Sequence, residues 1–513
     1  MAETTSDRGS TTIRGRERAD ETAEQFADDT DVVIVSNRQP YRHEWTDDGV
    51  TVDRPTGGLS EGLDSVARTI EGTWVAWGDG DADAHVVDED DRVSVPPDAS
   101  DDEQYDLRRV WLTDEQVEGY YYGFSNRVLW PVCHGTLSRI RGREGDWETY
   151  TEVNERFAEA VAARVSSGDV VWLQDYHFGR APRLVRARVP DDVSIAQFWH
   201  VPWPAWDTFR ACPHGEKVLR GLLGNDLFGV HVPRYRENFL GCVDAALPEA
   251  RIDWDRGRVF HRDGVTTVTA FPLGVDTATI GRLAADDGAE ARYSEFAATH
   301  GIGEDATVAV GVDRLDYTKG IPSRLDALER LLRERPEWRG DLTLVQVGTE
   351  SRSQIPAYRR LQERVTERVE RLNDEFGTPD WRPVVYTTER VSNATLYSLY
   401  RHADVGVVSP IRDGMNLVAQ EFVAAQVDDP GVLVLSDQAG AHDFLGEAAV
   451  TVTPQDTPGF ASGLQRALTM SSDDRRRRLR SLGRETRAHD IEHWIDDVLD
   501  SVTRLRTEDA DRV

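Results

Sequence analysis

The chain has 513 residues, 39% of them hydrophobic and 8% aromatic, which supplies packed cores and excludes disorder throughout. At roughly 150 residues per domain it suggests two large domains or two to four smaller ones. Against 60 Lys and Arg stand 92 Asp and Glu, a net charge of −32, which argues against a general binder of nucleic acid or anionic membrane.

Only Lys217 and Lys319 are lysines, so the basic side chains are almost all arginine. Carboxylate excess with lysine nearly absent fits a halophile, with an acidic, GC-rich mesophile as the other source of such a composition. Cys133, Cys212 and Cys242 have no C-x-x-C spacing, so neither a disulfide framework nor a zinc site is expected. The start of the chain lacks the apolar stretch of a signal peptide, and no run approaches 18 apolar residues. These features predict a cytoplasmic protein.

Residues 1–30 mix Thr, Arg, Asp and Glu without periodicity and read as a disordered acidic tail. Val32-Val33-Ile34-Val35 is a buried strand ending in polar Ser36-Asn37-Arg38. The same pattern recurs at Val170-Val171-Trp172-Leu173 before Gln174-Asp175, at Ile195-Ala196-Gln197-Phe198-Trp199 before His200, and at Leu227-Phe228-Gly229-Val230 before His231. Amphipathic helical stretches such as 153–166 fall between. A second series follows with strands near 308–312, 342–347, 384–386, 405–408 and 432–435 and a helix over 322–334. Strands alternating with helices imply α/β architecture, two Rossmann-like doubly wound domains facing across a cleft. The expected domains are 31–270 and 271–485, with 486–513 carrying a last helix. Its Ile491, Trp494, Ile495, Val498 and Leu499 form an apolar face to bury back on the first domain.

In such sheets the carboxyl ends of the strands carry function. Gly57 and Gly58 precede a helical segment and would let a backbone approach a diphosphate, although such a pair also makes an ordinary turn. Arg314 and Lys319 follow the strand at 308–312, where a doubly wound domain binds phosphate. After the strand at 405–408, Asp413 can accept from sugar hydroxyls, backbone N–H groups from Asn416 to Val418 open a helix, and Glu421 suits a ribose diol. His200, fixed by Val201-Pro202-Trp203-Pro204, is either a structural histidine or a substrate contact. Tyr120, Tyr121, Tyr122, Phe124 and Trp130 are either core or a sugar-binding wall. Arg38 and Arg352 follow strands in different halves and could converge on an anion. The Asp-x-Asp triplets at 79–83 read as an acidic surface run without a role, and the stretch 39–55 is not distinctive.

Taken in order, Ser36-Asn37-Arg38, Thr56-Gly57-Gly58-Leu59, Phe124-Ser125-Asn126 with Leu129-Trp130-Pro131, Asp175-Tyr176-His177, His200-Val201-Pro202-Trp203-Pro204, Arg314-Leu315-Asp316-Tyr317-Thr318-Lys319-Gly320 and Arg412-Asp413-Gly414-Met415-Asn416-Leu417-Val418 resemble the α,α-trehalose-6-phosphate synthases. That family is glycosyltransferase family 20, of GT-B fold, and the similarity covers about residues 31 to 500. The resemblance implies retaining transfer of glucose from a nucleotide-glucose, UDP-glucose favoured, to glucose 6-phosphate in trehalose biosynthesis. It needs no cofactor, metal or protein nucleophile. It places the donor diphosphate on Gly57 and Gly58 with Arg314 and Lys319, and the nucleotide side on Val391, Asn416, Leu417, Val418, Ala419, Gln420 and Glu421. Asp413 and His200 fall on the transferred glucose, and Arg38, Tyr121, Trp130, Asp175 and Arg352 on the acceptor. Two departures fall on the nucleotide side: Gln420, where many members have Lys, and Val391, where some have an aromatic residue.

Two other functions fit the same architecture, a glucosylglycerol-phosphate synthase using glycerol 3-phosphate and a non-catalytic sugar-phosphate sensor. The length leaves no room for a fused phosphatase, and a homo-oligomer is compatible with the sequence.

The composition generates one expectation of its own. A charge of −32 repels itself most at low ionic strength. Melting temperature should therefore rise from about 0.1 M to about 3 M KCl as the Debye length shrinks; a flat or falling curve would show that the acidic surface is not a salt adaptation.

Overall fold

The computed structural model describes residues 30–510 except 55–62, 65, 69–71, 101–103, 263, 353 and 429. The described chain forms two compact units, one of the residues up to Pro272 together with those from Ile491 on, the other of Leu273–Asp490.

In the first unit, strands β1 (Val32–Arg38), β4 (Thr73–Trp77), β5 (Arg92–Val95), β6 (Tyr105–Val110), β7 (Val170–Gln174), β8 (Ser194–Trp199), β9 (Leu227–Val230), β10 (Arg251–Asp253), β11 (Arg258–His261) and β12 (Gly264–Ala270) form one sheet. Its order is β10-β11-β12-β9-β8-β7-β1-β4-β6-β5. The run from β12 to β6 is parallel, and the antiparallel pairs lie at the two edges. The central strands are apolar without alternation because both faces are covered: every residue of Val170–Gln174 is buried. From β1 the chain builds outward through β4 and β6, then returns to β7 and builds the other way. Strand order therefore reverses between β1 and β7, whose carboxyl ends carry Arg38 and Asp175.

The stretch 39–55, unremarkable in sequence, contains a hairpin of β2 (Arg42–Thr46) and β3 (Gly49–Asp53). Its signal was the Asp48-Gly49 turn, with Gly49 at φ +120°. Of the acidic triplets at 79–83, Asp79 and Asp81 are exposed, as in a surface run, but Asp83 is fully buried. The helix read at 153–166 runs Asp146–Ala162, opening with Asp146 and Glu148 in its first turn and burying Trp147 and Tyr150. Val117–Leu129 winds wider than an α-helix, with Trp130 N donating to Ser125 O five residues back.

The last helix, Ile491–Ala510, belongs to the first unit. Trp494, 1% exposed, stacks on Trp172 of β7 at 5.3 Å and meets the Phe198 ring of β8 edge-on at 5.0 Å. Farther along, Arg506 donates to Gly168 O at 2.7 Å and to Thr30 Oγ1 at 3.0 Å.

The second unit is a six-stranded, wholly parallel sheet of β13 (Thr307–Arg314), β14 (Leu342–Thr349), β15 (Val384–Thr387), β16 (Val405–Val408), β17 (Val432–Ser436) and β18 (Val450–Val452). The order β15-β14-β13-β16-β17-β18 reverses between β13 and β16. Leu325, Leu328, Leu331 and Leu332 of the helix Ile321–Glu334, with Leu361, Val365, Val369 and Leu372 of Pro356–Phe376, build its apolar core. Among the described residues no helix is long and apolar enough to cross a membrane.

Since Trp494 fills the space beside β7 and β8, Trp494→Ala should cost the first unit about 3–5 kcal/mol. Denaturant unfolding would measure it, and a loss below about 1 kcal/mol would show the helix to be an accessory of the unit rather than part of its core.

Candidate active site

Each sheet leaves an uncovered notch where its strand order reverses, and the chemistry-bearing residues gather there. At the β1 end of the first, Arg38 is exposed between buried Asn37 and buried Gln39. Its NH2 lies 3.5 Å from Tyr121 Oη, and the Tyr121 ring stacks on His177 at 5.7 Å. Trp130 is buried against the rings of His134 at 4.2 Å and Tyr176 at 5.7 Å.

At the β7 end, Asp175 takes φ +73° and ψ 179°, a conformation that costs a non-glycine residue about 1–3 kcal/mol. Four bonds hold it there. Its N–H donates to Phe198 O at 2.7 Å and its carbonyl accepts from Gln197 Nε2 at 3.0 Å. Its Oδ1 accepts from Tyr176 N at 2.9 Å and from His200 N at 3.1 Å. These bonds offset the cost of the strained backbone. The His200 ring hydrogen-bonds Gln174 Oε1 through Nε2 at 2.8 Å, and His231 Nε2 donates to the His200 carbonyl at 3.0 Å. With Gln174 Oε1 accepting, the ring proton sits on Nε2 and Nδ1 keeps its lone pair. Burial pushes His200 well below the usual histidine value, and neighbouring His231 adds to the push.

In the second unit, β13 ends at Asp313 and Arg314, and Gly320 opens the next helix. Gly320 has φ +70°, and a Cβ there would lie 2.0 Å from Ser409 O. Only glycine allows this loop to press on the loop after β16, where Ile411 N donates to Thr318 O at 2.6 Å. That approach brings Lys319 Nζ to 2.5 Å from Asp413 Oδ2, which also accepts from Asn416 Nδ2 at 3.0 Å. Asn416, at φ +81°, precedes the helix Leu417–Ala425 without capping it through its side chain. The first-turn N–H groups at Leu417 and Val418 therefore suit an anion. Glu421 lies one turn on and accepts from Tyr400 Oη at 3.4 Å.

Beneath this loop Arg324, fully buried, donates to Asp313 Oδ2 at 2.8 Å, Gln346 Oε1 at 2.7 Å and Ser409 Oγ at 3.1 Å. Burial nevertheless raises the Asp313 carboxyl above its usual range, against the pull of Arg324 and Lys319. Asp316, also fully buried, accepts from Thr318 N, Thr318 Oγ1 and Arg352 NH1, each at 3.0 Å.

Sequence reasoning missed this engagement of Arg352, whose side chain is 4% exposed and also reaches Tyr358 Oη at 2.9 Å. Ala419 and Gln420 turn inward, and Gln420 Nε2 donates to Leu273 O at 3.0 Å, so only main-chain groups of these two remain for the donor side. Val391 lies half-buried in the loop after β15. Gly57 and Gly58 lie outside the described residues. Among the described residues no three His, Cys, Asp or Glu side chains gather into a set for a metal ion.

Residues 30–504 match the model of glycosyltransferase family 20. The chain belongs to glycosyltransferase family 20. Its family 20 relatives include the trehalose-6-phosphate synthase of Mycobacterium marinum, 36% identical over 503 residues that cover 97% of this chain and 98% of that one. Among solved structures, an α,α-trehalose-phosphate synthase (UDP-forming) from Burkholderia xenovorans in complex with glucose-6-phosphate matches with a TM-score of 0.80 at 29% identity, covering 92% of this chain and 100% of that one. A structure described as trehalose-6-phosphate from E. coli bound with UDP-2-fluoro glucose gives 0.81 and 29%, covering 92% and 99%. The family 20 fold, GT-B, is thus the architecture of the two doubly wound units.

The His200 environment has a measurable consequence. With its folded pKa below the unfolded value of about 6.5, the stability that neutral His200 contributes is full above about pH 6.5 and is lost as pH falls through the lower folded value. In NMR, the imidazole signal that disappears in His200→Gln should not titrate between about pH 8 and pH 6; a midpoint near 6.5 would contradict the buried, neutral ring.

Proposed function

We propose that this chain is a retaining glucosyltransferase that moves glucose from UDP-glucose to glucose 6-phosphate, giving α,α-trehalose 6-phosphate and UDP. The observation that carries the proposal is the pairing of Lys319 with Asp413 at the β13/β16 reversal, beside Arg314 and an uncapped helix start. One ammonium there both answers a diphosphate and orients a carboxylate that accepts from sugar hydroxyls. Family membership supports the reaction class.

In this reaction the anomeric hydroxyl of the acceptor attacks C1 of the donor glucose on the face the diphosphate leaves. The new C1–O bond forms as the C1–O(phosphate) bond breaks, and the hydroxyl proton passes to the departing phosphate oxygen. The protein supplies position and charge. Arg314 and Lys319 neutralise the diphosphate, and the N–H groups at Leu417 and Val418 with Glu421 hold the nucleotide side. Asp413 accepts from hydroxyls of the transferred sugar. Arg38 takes the 6-phosphate, while Tyr121, Trp130 and Asp175 take the acceptor ring.

Purified protein offered UDP-, ADP- or GDP-glucose with glucose 6-phosphate should make α,α-trehalose 6-phosphate fastest from UDP-glucose, as followed by NMR of the anomeric signals. Turnover of glycerol 3-phosphate in place of glucose 6-phosphate would sink the proposal. Lys319→Ala should lower kcat by about 10²–10³, the cost of one lost charge-stabilising donor. Arg38→Ala should raise KM for glucose 6-phosphate far more than KM for the donor, and an equal rise in both would remove Arg38 from the acceptor site.

A further inference from the structure

A buried polar cluster stands directly behind Arg38. Asp83, Arg109, His43 and Gln39 are each at most 4% exposed. Arg109 NH2 pairs with Asp83 Oδ1 at 2.9 Å, and Arg109 NH1 donates to the Asp83 carbonyl at 3.0 Å. Asp83 Oδ1 also accepts from His43 N, and its Oδ2 from Gly80 N, both at 2.8 Å. The Gly80 turn fits only without a side chain, since a Cβ would fall 2.3 Å from His43 O. Burial alone would raise the Asp83 carboxyl, but bonds from His43 and Gln39 and the charge of Arg109 outweigh it and hold the group below its usual range.

Gln39 is the member that follows Arg38 in the chain. Its Oε1 accepts from Arg109 Nε at 3.0 Å, and its Nε2 donates to Asp83 Oδ2 at 2.5 Å and Asp79 Oδ1 at 2.8 Å. Both amide protons and the carbonyl are engaged, so this side chain has one orientation. On the other side of Arg38, Ser36 Oγ donates to the Arg38 carbonyl at 2.5 Å and itself accepts from Trp74 Nε1 at 2.8 Å. Between these anchors β1 slips register against β4: Ser36 pairs with Ala76 but Arg38 with Trp77, leaving Asn37 as an extra residue. Such a bulge re-aims the residue that follows it.

We propose that Gln39, locked by the Asp83–Arg109 pair, is the positioning residue that aims the Arg38 guanidinium at the acceptor phosphate. The acidic run at 79–83 is its anchor. This rests on the reading that Arg38 binds that phosphate. An arginine has many rotamers to lose, and a fixed backbone bulge with a rigid neighbour reduces what must be ordered on binding.

Steady-state kinetics of wild type, Gln39→Met, Arg38→Ala and the double variant decide it. Gln39→Met should raise KM for glucose 6-phosphate about tenfold while leaving donor KM within about twofold, and should add nothing to Arg38→Ala. An equal rise in both KM values, an unchanged acceptor KM, or a full multiplicative effect in the Arg38→Ala background would overturn the positioning role. If Arg38→Ala itself leaves the acceptor KM unchanged, the reading of Arg38 has failed instead. Should Gln39→Met not fold, Asp79→Asn weakens a single bond to Gln39 at a carboxylate that is 31% exposed. It should raise the acceptor KM about two- to threefold by the same pattern, and no rise would count against the proposal.

Discussion

A parallel sheet that grows first to one side and then to the other must, at one place, send two neighbouring connections away from each other. No crossover covers the strand ends at that place, and whatever lies there meets solvent and solutes. Both units obey this constraint. In the first it sets Arg38 and strained Asp175 at the ends of the two reversing strands; in the second it sets half-buried Arg314 and Lys319 after one strand and Asp413 after the other. The site residues come from sequence positions as distant as 38 and 175, or 319 and 413, because adjacency at a reversal is set by strand order rather than chain order.

Each unit backs its notch with one buried arginine, Arg109 in the first and Arg324 in the second. A buried ion pair adds little net stability against an apolar replacement, but losing one partner costs about 3–5 kcal/mol. What the pairs contribute is definition. Arg324 joins β13, β14 and the loop after β16 through Asp313, Gln346 and Ser409. Arg109 joins β6 to Gln39, the residue after Arg38, and to Asp83. The cations that face outward are thus set on loops whose backbones have few alternatives.

Much of this was legible in the residues. Runs such as Val170-Val171-Trp172-Leu173 admit one interpretation, since a strand covered on both faces has no alternation to hide. Polar residues at the ends of such runs pointed to the notches. Asp83 in the acidic stretch at 79–83 was misread because a carboxylate in water and one folded onto an arginine 26 residues later look alike in sequence. The widened helix at 117–129 leaves no periodic signature to find. Gln420 could have been placed: Leu417, Val418 and Glu421 share one helical face, so Ala419 and Gln420, with Phe422 and Val423, must share the other. The bond between Lys319 and Asp413 depends on the press of Gly320 against Ser409, a contact that exists only once two loops are folded.

The return of the helix Ile491–Ala510 to the first unit has a consequence for synthesis. A ribosome makes residues 273–490 before it makes Trp494, so every strand of the second unit has been synthesised while the first still lacks the covering for Trp172 and Phe198. The nascent first unit must keep that aromatic surface in water, or in a chaperone's grip, for the time taken to translate more than two hundred further residues, roughly 10–40 s at 5–20 residues per second. The order of translation therefore leaves completion of the first unit to the closing moments of synthesis, after every strand of the second has been made.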